Sequence, residues 1–135
     1  MRTDTGQVFR LEDYRPSDYL IPRTSLAFRL HPDKTIVTAE LTIARREGVS
    51  KKAPLILDGD GLVLKRIEID GAPLDASAYQ ATPDQLTVPA PPAAQNFRLT
   101  LETEISPSTN SALMGLFLTS GVYSTQCEAE GFRRI

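Results

Sequence analysis

With 135 residues the chain has room for one hydrophobic core and not for two. Hydrophobic residues make up 41% and charged residues 24%, and 15 Lys+Arg against 17 Asp+Glu leave a net charge of -2, an ordinary globular balance. With a pI near 5.4, there is no electrostatic ground for binding nucleic acid or an anionic bilayer, so neither is expected as a partner.

Residues 1–20 never build the apolar run of a signal peptide, and no stretch approaches the length of a membrane span. The first strand is expected at 24–31, where Leu26, Phe28 and Leu30 alternate onto one face. Pro32-Asp33-Lys34 is turn chemistry. A second strand follows at 35–45, with Val37, Ala39, Leu41 and Ile43 on one side and Thr38, Glu40 and Thr42 on the other, so the pair reads as an antiparallel hairpin with one wet face.

A polar loop at 47–53 leads to the short apolar run Leu55-Ile56-Leu57 and the turn Asp58-Gly59-Asp60-Gly61. Another strand is expected at 62–69, ending at Asp70-Gly71, a strong hairpin dipeptide. Short strands at 78–81 and 85–88 flank Thr82-Pro83-Asp84. The proline-rich run at 89–92 breaks regular structure, and Phe97 to Ile105 alternates again. After Ser106 the character changes: residues 112–118 are apolar, while 120–135 hold few strong strand formers and end as if cut. About seven short antiparallel strands imply an all-β sandwich or open barrel.

Chemistry-bearing residues are few. The lone Cys127 excludes an internal disulfide framework and suits a reducing, cytoplasmic compartment. His31 beside Pro32 reads as a solvated turn residue, and one histidine with one cysteine cannot complete a structural zinc site. Asp58-Gly59-Asp60-Gly61 lacks the remaining ligands of a calcium loop and reads as a turn. Arg45, Arg46, Lys51 and Lys52, without interleaved aromatics, read as a solvated basic loop.

The segment 125–133 differs. If extended, it places Gln126, Glu128 and Glu130 on one face at a spacing of roughly 6.6 Å. A free α-ammonium group donates three hydrogen bonds, so a pocket for a peptide's amino terminus needs such acceptors aimed inward. A charge cluster is usually a solvated face, and spacing alone does not decide between the two.

The string Gly121-Val122-Tyr123-Ser124-Thr125-Gln126-Cys127-Glu128-Ala129-Glu130-Gly131-Phe132-Arg133-Arg134 closely resembles the end of the amino-terminal domain in the bacterial aminopeptidase N family, zinc metallo-aminopeptidases of the gluzincin class. Asp13 to Tyr19, Asp33 to Ala39, Ala53 to Gly59 and Glu104 to Asn110 match in the same order, so the resemblance covers essentially the whole chain. It implies a saddle-like β-sandwich spanning 1–135, a single amino-terminal domain truncated on its carboxy-terminal side and packed in cis on a catalytic domain absent from this chain. In the family, residues matching Gln126 and Glu128 bind substrate, the glutamate holding the free amino group. The zinc ligands, the general-base glutamate and an oxyanion-stabilising tyrosine belong to the catalytic domain. The resemblance therefore implies peptide substrates with a free N-terminus, zinc held outside this chain, no catalytic or metal residue within it, and a monomeric full-length enzyme. Ser124 departs from the cysteine common in bacterial relatives and leaves Gln126 and Glu128 in place. From the strand pattern alone, a free-standing β-sandwich interaction module remains the alternative.

Overall fold

The computed structural model describes residues 10–127. Ten strands form the fold: β1 (Tyr19–Arg29), β2 (Thr35–Arg45), β3 (Leu55–Asp58), β4 (Val63–Ile69), β5 (Ala72–Pro73), β6 (Gln80–Ala81), β7 (Gln85–Val88), β8 (Asn96–Ile105), β9 (Gly115–Thr119) and β10 (Val122–Gln126). Only short 3-10 helices interrupt them among the described residues, and no helix there is long and apolar enough to cross a membrane. The described residues are all-β, as the alternating patterns imply.

All strand pairs are antiparallel. A five-stranded sheet runs β1-β2-β8-β4-β5, a three-stranded sheet runs β3-β7-β6, and β9 pairs with β10 in a separate ribbon. The core forms where the first two sheets face each other. It joins Tyr19, Leu41, Ile43, Ile67, Phe97 and Leu99 of the large sheet to Leu55 and Val88 of the small one. Ile43 and Leu99 are fully buried, because Ile43 pairs with Phe97 and Leu41 with Leu99 on one face. The opposite face carries charge: Glu102 lies within ion-pair distance of Arg29 and Arg66, each at 3.9 Å, and Arg66 also pairs with Glu68.

Three sequence expectations are corrected. The first strand begins at Tyr19 rather than at 24, with Pro22 inside it. That is possible because β1 is an edge strand among the described residues, and its register shifts between Leu20 and Arg23, where a bulge accommodates the missing donor. Leu26 and Phe28 do share the core-side face, opposite Ala39 and Val37, yet they are 51% and 48% exposed. The small sheet covers only the half of that face around Ile43 and Leu99, and Leu30, beyond the strand, is exposed as well.

Arg45, expected in a solvated loop, is 3% exposed. As the last residue of β2 it continues the alternation of Leu41 and Ile43 into the core. Its guanidinium donates to the carbonyls of Ala93 (3.0 Å) and Pro92 (2.7 Å) and sits 5.8 Å from the Tyr19 ring centroid. Nε has no hydrogen-bond partner among the described residues. The proline-rich loop after β7 is thereby fixed to the end of β2, reinforced by Arg45 N–H donating to Gln95 O at 2.9 Å.

Candidate functional site

The apolar run at 112–118 and the polar one after 120 form a hairpin that the alternation pattern did not reveal. Thr119 pairs with Val122 across Ser120-Gly121, whose φ angles of 49° and 78° are those of a type I′ turn. The register then places Tyr123 opposite Leu118, Ser124 opposite Phe117, Thr125 opposite Leu116 and Gln126 opposite Gly115. Val122, Ser124 and Gln126 consequently share one face of the ribbon. Gln126 is half-buried at the open end, with Gly115 as its cross-strand neighbour. Gly115 adopts φ +68°, and a Cβ built there meets no atom within 4 Å.

That open end is tied down by polar groups. Asn110 Nδ2 donates to Met114 O at 2.7 Å and to Leu116 O at 2.9 Å, while Asn110 Oδ1 accepts from Leu113 N–H at 3.1 Å. Leu113, held in this loop, has φ +55°, a conformation that side-chain-bearing residues keep only when their surroundings enforce it. Asn110 follows the 3-10 helix Pro107–Thr109. There Ser108 N–H donates to Pro32 O at 2.8 Å and Ser108 Oγ to Asp33 Oδ1 at 2.6 Å. The β1–β2 turn thus holds the helix, the helix presents Asn110, and Asn110 holds the start of β9 opposite Gln126.

Gln126 lies at the end of β10, and Cys127 beyond it is a half-buried free thiol. Glu128 and Glu130 lie outside the described residues, so the expected row of three acceptors is placed only at its first member. Two shallow clefts occur elsewhere. One of about 330 Å³ is lined by Ile69, Leu74, Val88 and Pro92, and one of about 280 Å³ by Arg15, Asp18, Tyr19 and Ile56.

Comparison with known proteins bears on the choice between a domain of a larger protein and a free-standing module. The chain is 51% identical over 135 residues to an aminopeptidase N of Caulobacter vibrioides, and 42% identical over 133 residues to one of Escherichia coli. The chain is an amino-terminal domain homologous to part of aminopeptidase N. It spans 15% of the length of each of these relatives, which match 100% and 98% of it. Among solved structures, Legionella pneumophila aminopeptidase A in complex with aspartic acid matches with a TM-score of 0.80 and 29% identity, over 93% of this chain and 15% of that one. An M1 zinc metallopeptidase from Deinococcus radiodurans shares the fold, with a TM-score of 0.65 and 18% identity over 87% of this chain and 28% of its own. No family model matches the chain.

The remaining sequence candidates fall where turns put them. His31 is exposed, and its Nδ1 accepts from the backbone N–H groups of Asp33 (3.1 Å) and Lys34 (3.2 Å), which makes it a cap of the β1–β2 turn. Asp58 ends β3 opposite Gln85, and the glycine-rich link after it crosses between sheets, with Gly59 N–H donating to Asp84 O at 2.9 Å. Among the described residues no three His, Cys, Asp or Glu side chains converge to hold a metal ion, so the zinc of the neighbouring metallopeptidases finds no ligand set in them. Asn110, which holds the start of β9, was read only as part of a loop. Its signal was an asparagine in Ser-Pro-Ser-Thr-Asn-Ser, where a side-chain amide substitutes for backbone partners in turns.

Proposed function

We propose that this chain is the substrate-recognising amino-terminal domain of a zinc-dependent aminopeptidase that removes N-terminal residues from peptides. Half of all positions match an aminopeptidase N across the full 135 residues, and this observation carries the reading. Gln126, with Glu128 two residues on, accepts hydrogen bonds from the substrate's α-ammonium group. An amide oxygen and a carboxylate are the acceptors that such a three-donor group needs. Zinc and the groups that activate water reside in a catalytic domain joined in cis, so this chain alone is inactive. The half of the sheet face bearing Leu26 and Phe28, exposed here, is of the kind that a larger polypeptide covers. The domain runs as one unit over 1–135, in a full-length enzyme that is monomeric and cytoplasmic.

In the full-length holoenzyme, Glu128→Ala is expected to lose about 1.5–3 kcal/mol of transition-state stabilisation, the size of a hydrogen bond to a charged group. The measurement is kcat/KM on amino-acid p-nitroanilides, and an unchanged value rejects the role. Chelator-sensitive hydrolysis of dipeptides by the purified 135-residue chain would overturn the division of labour.

A further inference from the structure

We infer that Asn110 is a positioning residue for substrate recognition by Gln126, an inference that rests on the function proposed above. A two-stranded ribbon is marginal on its own and frays first at its open end. The closed end of β9–β10 is secured by the Ser120-Gly121 turn, whereas the open end is where Gln126 must be held still. Beyond Gly115 and Gln126 the ribbon has no further rung among the described residues. Asn110 supplies side-chain hydrogen bonds there. The Asn110 amide grips the carbonyls on either side of Gly115, those of Met114 and Leu116, and its oxygen accepts from Leu113 N–H.

Leu116 pairs with Thr125 and Gly115 with Gln126, so a displacement of the first two residues of β9 passes directly to the last two of β10. The grip is anchored in turn. Ser108, two residues before Asn110, is fixed to the β1–β2 turn through Pro32 and Asp33. Asn110 itself need not reach the ligand. It removes freedom that Gln126 would otherwise lose on binding, an ordering cost that weakens affinity for the ground state and the transition state alike.

The test is a double-mutant cycle in the full-length holoenzyme, with alanyl p-nitroanilide as substrate. Gln126→Ala is expected to raise KM. Asn110→Ala is expected to raise it about three- to tenfold with kcat changed less than about twofold, and the double variant should be no worse than Gln126→Ala alone. That silence in the Gln126→Ala background is what a merely structural role would not produce. If Gln126→Ala raises KM and Asn110→Ala does not, or if the two effects multiply, the positioning role is wrong while the recognition reading stands. If Gln126→Ala itself leaves KM unchanged, the recognition reading fails and takes this inference with it. Should Asn110→Ala not yield folded enzyme, Ser108→Ala removes only the Oγ–Asp33 bond. It is then expected to raise KM about twofold and to be silent beside Gln126→Ala, and an unchanged KM or an additive effect overturns the proposal.

Discussion

Two hairpins in this molecule close on the same kind of turn and are stabilised in opposite ways. Asp70-Gly71 joins β4 to β5 with φ angles of 51° and 82°, almost those of Ser120-Gly121. The first hairpin belongs to the five-stranded sheet, and Ile67 beneath it lies in the core. The second stands apart as a ribbon in which Leu116, Phe117 and Leu118 are half-buried, Val122 is exposed, and the loop end is held by an asparagine amide. Turn chemistry therefore sets the strand register in both, while burial secures only one. The ribbon that carries Gln126 gives no side chain to the buried core cluster, so it is placed to open more easily than the sheets.

The contrast breaks most visibly at Leu99, fully buried where the two sheets meet. Leu99→Ala should cost about 3 kcal/mol of global stability, read from denaturant unfolding of the 135-residue chain, and should destabilise both hairpins together. Asn110→Ala should act on one of them. Amide exchange in β9 and β10 is expected to accelerate by about tenfold or more, the equivalent of losing one or two hydrogen bonds, with the amides of β2 and β8 unchanged. Equal acceleration everywhere would show that the ribbon and the core open as one unit.

The smallest effect concerns Asp75, which caps the 3-10 helix Ala76–Ala78 after the core-backed hairpin by accepting from Ser77 Oγ (2.7 Å) and Ser77 N–H (2.9 Å). The Ser77 hydroxyl, and after it the Ser77 N–H, hold this carboxyl below the usual carboxylate range. A depressed folded-state value means that the cap is complete above the ordinary range and is lost as pH falls through the lowered one. The Ser77 amide resonance should follow that titration, and a midpoint at or above the ordinary carboxylate value would contradict it.

Strands whose partners alternate in sequence were legible as such. β2 and β8 lie where period-two patterns put them, β7 lies where a short strand beside Thr82-Pro83-Asp84 was expected, and Asp70-Gly71 marked its hairpin. β1 was read short because Pro22 argues against a strand interior unless the strand is known to be an edge, and edge position is a property of the sheet. β10 was hidden because Val122-Tyr123-Ser124-Thr125-Gln126 was read as mixed and polar, although Ser120-Gly121 is itself a turn dipeptide. Arg45 was misread from its charge. Its place in the core followed from the alternation already recognised in β2, but the carbonyls that accept from it come from residues almost fifty positions away. Gln126 and Glu128 were nominated by a resemblance in their neighbourhood, since their spacing alone does not decide against an ordinary solvated strand. Asn110 carries its role through three backbone partners and no periodicity at all.

Pro22 and the register shift beside it have a further consequence for the outer margin of β1. A passing extended chain that tried to lengthen the sheet would meet a comb with a missing tooth and a skewed spacing, directly beside the stretch where Leu26 and Phe28 lie open. Stickiness is thus separated from templating: the margin offers grease to a shaped neighbour while refusing the indefinite strand-on-strand growth that leads to fibres.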